Sequence, residues 1–309
     1  MFHHFHDEGI HKKGQGSITK EEFYKIINFI GRKNILDADI FFDKLKNNKL
    51  EEKEVCITLD DGIKCQFDIA LPVLEELKIK SFFFVYSSMF ENKPDYLEVF
   101  RYFRMNYFDN VDIFYNDFYK FLDADLTNFF EDQSDLIKLK KIRHPLYSIE
   151  DIKFRLVRDI FLSKVKYEEI MFAMMKEKKF DYKGIISSIY FKKDDIIKLD
   201  SLGHLVGLHS HNHPTLLEKL NYDEQKDEYA KCQSVISNIL NKPANEIKWM
   251  SHPLGSYNQD TLAILNELGI ELGFKQYMNI DPHKGMKKIN NTNLEIARIN
   301  HNLILKMMN

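Results

Sequence analysis

The stretch VCITLDDGIKC, residues 55–65, runs from an apolar segment into two adjacent carboxylates and a glycine. Neighbouring side chains on a strand point to opposite faces, so Asp60 and Asp61 cannot both continue one regular ladder toward one core. Asp and Gly are ordinary turn residues, and from these residues alone a solvated turn is the plainer reading. The alternative is a pair of acids set at a strand end for chemistry. The rest of the chain decides between them.

Outward from this stretch, short apolar strands alternate with helices, the pattern of an α/β fold. MFHHF reads as a first strand despite its histidines. TKEEFYKIINFIG carries a capping box, Thr19 with Glu22, then Phe23, Ile26, Ile27 and Ile30 at helical spacing, and Gly31 stops it. VCITL is a strand, QFDIALPVLEELK a helix that begins before Pro72, and KSFFFVYS a strand apolar enough to be buried on both faces. The alternation breaks across residues 92–183, which are rich in Phe, Tyr, Asp and Lys at mainly helical spacing. Examples are Phe100, Phe103 and Tyr107, later Ile170 and Met174, with Ser148 and Asp151 placed to cap a helix. We read one domain over 1–309 with a helical insertion at 92–183, packed beside the main domain. The alternation resumes near DYKGIISSIYF and ends with the strands IELGFKQ and EIARINHN.

The chain has 309 residues, 44% of them hydrophobic and 29% charged, with a formal net charge of −3. That balance carries no basic footprint for nucleic acid. No apolar run approaches the roughly 20 residues of a membrane helix, and the start has neither the basic end nor the apolar stretch of a signal peptide. The expectation is a cytoplasmic protein. Cys56, Cys65 and Cys232 lack Cys-x-x-Cys spacing and read as reduced thiols.

LGHLVGLHSHNHP places His209, His211 and His213 within five residues. In a helical turn the first and third lie on one side, about 5–6 Å apart at Cβ. Two neutral imidazoles and one carboxylate are a familiar tripod for a catalytic divalent metal. One acid of the Asp60–Asp61 pair can supply the carboxylate and leave the other to act as a base. That reading favours chemistry over a turn.

Three motifs in order now resemble a known family. TLDDG, GHLVGLHSHNHP and SHPLGSYN are similar to the conserved motifs of the polysaccharide deacetylases, the NodB-homology or carbohydrate esterase 4 group. The resemblance covers roughly 57–90 and 184–301. It implies an α/β fold, a distorted (β/α) barrel, whose strand ends carry a divalent metal. Zn2+ fits the ligand types, and Co2+, Ni2+ and Mn2+ also suit imidazole and carboxylate. By the same resemblance Asp61, His209 and His213 are the ligands and Asp60 the general base. Pro253, Leu254 and Gly255 form the turn whose backbone N–H faces the oxyanion. The implied reaction removes an N-acetyl or N-formyl group from an amino sugar.

The sequence departs from the family pattern in several places. The arginine of its third motif falls on Ser251, and Arg298 in EIARINHN is the charged candidate to replace it. The motif's tyrosine is Leu254. A general acid must protonate the departing amine. His301, 48 positions after Pro253, stands near the family's late histidine, and the N-terminal His3, His4 and His6 are rivals, His4 being taken as substrate-binding. His211 faces away or bonds the turn. His11, His144, His204, His252 and His283 read as structural or exposed.

The leading expectation is a metal-dependent hydrolase of an N-acylated amino sugar, free or linked to a nucleotide or lipid, in surface polysaccharide or glycan biosynthesis. A second reading is a non-catalytic carbohydrate- or partner-binding protein with a structural metal site. The presence of both Asp60 and Asp61 argues against it, because a structural site has no use for the base.

Overall fold

The computed structural model describes residues 1–143, 147–276 and 292–308. It divides the chain into two compact units, Met1–Asp95 with Ser187–Asn309, and Tyr96–Ile186.

The first unit is a curled sheet of five parallel strands in chain order. These are β1 (Thr58–Leu59), β2 (Phe82–Val85), β3 (Leu205–Leu208), β4 (Trp249–Ser251) and β5 (Leu272–Phe274), with helices around them. Parallel neighbours need crossover connections, and helices supply them here. Two bridges extend the sheet, Phe2 beside Leu59 and Ile296 beside Phe274. The flanking segments then meet, where the Met1 nitrogen donates to the Ile299 carbonyl at 2.9 Å and the His301 N–H to the Met1 carbonyl at 3.2 Å. This is the (β/α) barrel architecture expected from the sequence. Every side chain of β2 is fully buried, as a parallel strand covered on both faces requires. Phe82 and Phe84 pack with Phe41, Leu272, Phe274 and Ile296. Gly273 is small for a reason: a Cβ there would lie 2.5 Å from the Leu294 carbonyl oxygen, so only glycine lets the last segment come alongside.

Helix Lys20–Ile30 starts at the Thr19–Glu22 capping box, buries Phe23, Ile26 and Ile27, and ends at Gly31 with φ 86°. QFDIALPVLEELK splits into a wide turn over Gln66–Ala70 and a helix over Leu71–Glu76. Two expected strands are shorter than read. MFHHF contributes only bridges at Phe2 and Phe5. EIARINHN bridges at Ile296 and then turns into helix His301–Met308. Curling of the sheet limits how long each edge segment stays in register.

The second unit is helical. Its core is aromatic, with Phe103, Phe114, Phe118 and Phe154 buried and the Phe154 ring 5.3 Å from Phe114 and 5.0 Å from Phe118. Ser148 caps helix Ile149–Leu156 by accepting from the Asp151 N–H. Tyr107, expected in the apolar stripe, is 43% exposed, because helix Leu97–Asn106 ends one residue before it.

Candidate active site

β1 ends at Leu59, and the two acids follow at once. The chain turns through left-handed conformations at Asp61 (φ 78°) and Gly62 (φ 62°). That reversal lets neighbouring carboxylates leave the strand end without facing a common core, and both are buried.

β3 ends at Leu208 and presents His209 and His213. They are not on a helical turn. The loop between them has left-handed residues at Ser210 (φ 62°) and His213 (φ 54°), and it brings the two ring centroids to 5.1 Å. Asp61 Oδ1 lies 3.1 Å from His209 Nε2 and 3.4 Å from His213 Nε2. One ligand atom from each of Asp61, His209 and His213 falls within 4.8 Å of the others. The His209 Nδ1–H donates to the Ser251 carbonyl at 2.8 Å, so in the neutral ring the Nε2 lone pair faces Asp61. His213 Nδ1 lies 3.5 Å from Asp95 Oδ2, while its Nε2 is buried without an aligned hydrogen-bond partner. A buried imidazole nitrogen left unmatched between a carboxylate and a second imidazole is what a divalent cation would satisfy. The donor set therefore fits a divalent metal. Asp95 carries no motif, and only its approach to His213 reveals it.

Asp60 is gripped on the other side. Arg298 donates from Nη1 to Oδ1 at 2.8 Å and from Nη2 to Oδ2 at 2.7 Å. The rest of the guanidinium is held by the Lys275 carbonyl (2.7 Å), Thr58 Oγ1 (3.2 Å) and Ser251 Oγ (2.8 Å). Ser251 Oγ itself donates to Asp60 Oδ2 at 3.0 Å. Ser251, which stands where the family motif has arginine, therefore bonds both Asp60 and the arginine that reaches it from the last segment. Burial alone would raise the Asp60 carboxyl, but the Arg298 charge outweighs it, with His209 and His3 adding, and holds it at about 2. Asp61, also pushed up by burial, is held well below its ordinary value by His3, His209 and His213.

The candidate acids separate clearly. His3 Nε2 stands 3.9 Å from Asp60 Oδ2 and 3.9 Å from Asp61 Oδ2. The His4 ring lies alongside that of His3, 6.1 Å between centroids. His301 is not brought to the acids. Its ring stacks on Phe2 at 5.5 Å, with Nε2 at 2.7 Å from the Gly16 carbonyl and Nδ1 at 3.3 Å from that of Met1. Burial lowers it to about 3. The expected late strand has become a helix start at this residue, which turns the imidazole into the packing.

The turn Pro253–Gly255 narrows the oxyanion candidates. Proline has no N–H, and the Gly255 N–H donates to the His252 carbonyl at 3.0 Å. Leu254, at φ 51°, is then the member of the three whose amide the turn does not consume. Four other histidines make structural contacts. His211 pairs with Ser87 Oγ at 2.7 Å, His204 accepts from the Ser81 N–H at 3.0 Å, His252 donates to the Leu294 carbonyl at 2.8 Å, and His11 meets Asp68 at 2.8 Å. His144 and His283 lie outside the described residues. Cys56, Cys65 and Cys232 form no disulfide. Among the described residues, no helix is long and apolar enough to cross a membrane.

A curled parallel sheet whose strand ends carry paired acids and an Asp-His-His cluster is the kind of frame on which α/β-barrel enzymes build their sites. The chain belongs to the polysaccharide deacetylase family, whose profile matches residues 47–103 and 162–273, more than half its length. No curated protein sequence matches it. Among solved structures it is similar to the Streptococcus pyogenes deacetylase PplD in complex with acetate. The TM-score is 0.55 at 16% identity, covering 100% of this chain and 96% of that one. IcaB from Ammonifex degensii gives 0.54 at 13% identity, covering 96% and 88%. A de-N-acetylase from Aggregatibacter actinomycetemcomitans gives 0.54 at 12%, covering 97% and 92%. At such identities these structures speak for the fold. Family membership supports a carbohydrate de-N-acetylase.

Proposed function

We propose that the protein is a metal-dependent N-deacetylase that hydrolyses the acetamide of an amino sugar. The observation that carries this reading is the division of two adjacent acids. Asp61 faces two imidazole nitrogens, while Asp60 is turned to a guanidinium. Asp61, His209 and His213 would hold the ion, with Asp95 behind His213 orienting that ring. Bound there, a divalent cation supplies electrophilic pull on the amide carbonyl and makes nearby water more acidic.

The chain's own groups do the rest. Asp60 takes the proton from the attacking water, and Arg298 with Ser251 fixes the direction of its carboxylate. That grip orients Asp60 at a cost in basicity, since the same charge that aims it also lowers its pKa. The Leu254 N–H, which its own turn does not use, donates in this reading to the developing oxyanion. His3, beside both acids, delivers a proton to the departing amine. An acetyl group is favoured by the acetate complex of PplD and the de-N-acetylase neighbour.

The test is acetate release from a panel of N-acetyl amino sugars, free, nucleotide-linked and oligomeric, with zinc or cobalt added to purified protein. Release that a chelator abolishes and the metal restores is expected. A metal-loaded protein that releases no acetate from any member would overturn the reading.

A further inference from the structure

The two imidazoles stand at the ends of a five-residue loop that L side chains do not adopt readily. Ser210 and His213 both have positive φ, and such residues persist only where the surroundings fix them. One side of the loop is held by the chain after β2. The Ser88 N–H donates to the His211 carbonyl at 2.9 Å and the Ser87 N–H to that of Ser210 at 3.3 Å. Within the loop, the His213 N–H donates to Ser210 Oγ at 3.1 Å.

The other side is held by one carboxylate. Glu228 Oε2 accepts the His211 N–H at 2.9 Å and the Asn212 N–H at 2.7 Å. Its Oε1 accepts from Asn212 Nδ2 at 2.6 Å. These are charge-assisted bonds, shorter and stronger than neutral ones. Glu228 sits on helix Tyr222–Leu240, beside the fully buried Tyr229 and Cys232, so the acceptor is fixed to the core.

We propose that Glu228 is a positioning residue for the metal site. Its carboxylate sets the loop so that His209 and His213 converge on one point before any ion arrives. Ordering of the loop then occurs on folding and does not weaken ion binding. The proposal rests on the metal-site part of the functional reading and is independent of the reaction.

Cobalt(II) is the probe, titrated into metal-free full-length protein against a chromophoric chelator, with melting of the metal-free forms measured in parallel. Glu228→Ala should weaken cobalt binding about 10–100-fold in protein that still melts cooperatively. Glu228→Gln should recover most of the affinity, because its amide oxygen still accepts both backbone N–H groups once the Asn212 amide turns over. Should Glu228→Ala fail to fold, Glu228→Asp, one methylene short, carries the test with a several-fold loss. Wild-type affinity in folded Glu228→Ala, or in Glu228→Asp where that is the variant tested, overturns the proposal. So does equal weakening by Ala and Gln, which points to bulk charge and not to the bonds. Absence of cobalt binding in the wild type overturns it together with the metal site, whereas failure to release acetate leaves these affinities to be read on their own.

Discussion

Asp60 and Asp151 are two aspartates in almost the same circumstances, one in the barrel unit and one in the helical unit. Each is 1% exposed and faces arginine. At Asp151, Arg155 Nε lies 3.0 Å away, Arg104 Nη1 3.4 Å and the Tyr115 hydroxyl 2.9 Å. Those partners come from helices Leu97–Asn106, Val111–Leu122 and Ile149–Leu156, so the cluster ties three helices together. The difference lies in the neighbours. Beside Asp60 stands a second acid, Asp61, which faces two imidazoles; beside Asp151 stand Arg104, Arg155 and Tyr115, all joined to it, although Arg104 Nε has no partner of its own. A buried carboxylate–guanidinium pair therefore does not mark a site by itself. A second acid that faces two imidazoles does.

That contrast can be broken experimentally. The largest effect should fall on stability. Asp151→Ala strands the buried Arg104 and the half-buried Arg155 and should cost about 3–5 kcal/mol in denaturant unfolding, while the folded fraction keeps its metal and turnover. Burial raises the Asp151 carboxyl, but Arg155 and Arg104 bring it below its ordinary value. A depressed folded pKa means stability that is present above the unfolded value, near pH 4, and lost on further acidification. Asp151→Ala should flatten that acid limb.

His3→Gln should lower turnover about 10²–10⁴-fold with metal content unchanged; an unaffected rate would remove His3 as the acid. Arg298→Ala should cost about hundredfold in turnover through misorientation of the base, and Arg298→Lys should recover only part, keeping charge but not the two-pronged grip. Loss of the guanidinium leaves burial to raise the Asp60 pKa, so the acid limb of kcat/KM should move to higher pH in Arg298→Ala; a limb that stays in place would separate Arg298 from the base. The smallest effect is expected of His301→Gln, whose turnover should match the wild type. A large loss would return His301 to the reaction.

Much of the fold was legible in the sequence because the apolar runs and caps are local signals. The Thr19–Glu22 box and the Ser148 cap form where their spacing predicts. Strand lengths were not legible, since apolar residues continue past the point where a curled sheet stops pairing. The Asp61, His209 and His213 cluster was legible because its members recur at short spacing beside strand ends, although a left-handed loop and not a helical turn brings the imidazoles together. Arg298 could be singled out as a charge near the late strand ends. The surroundings of His301 were not legible, because order along the chain does not reveal that a segment has turned into a helix. Asp95 and Glu228 carried no signal. They are common acids, distant in sequence, and only folding sets them against His213 and the loop before it.

The most direct measurement takes Asp60→Asn and determines ion content and acetate release on the same preparation. The division of the two acids predicts one bound ion per chain, as in the wild type, with turnover abolished. An Asp60→Asn protein that still releases acetate at the wild-type rate, or that has lost its ion, would contradict it.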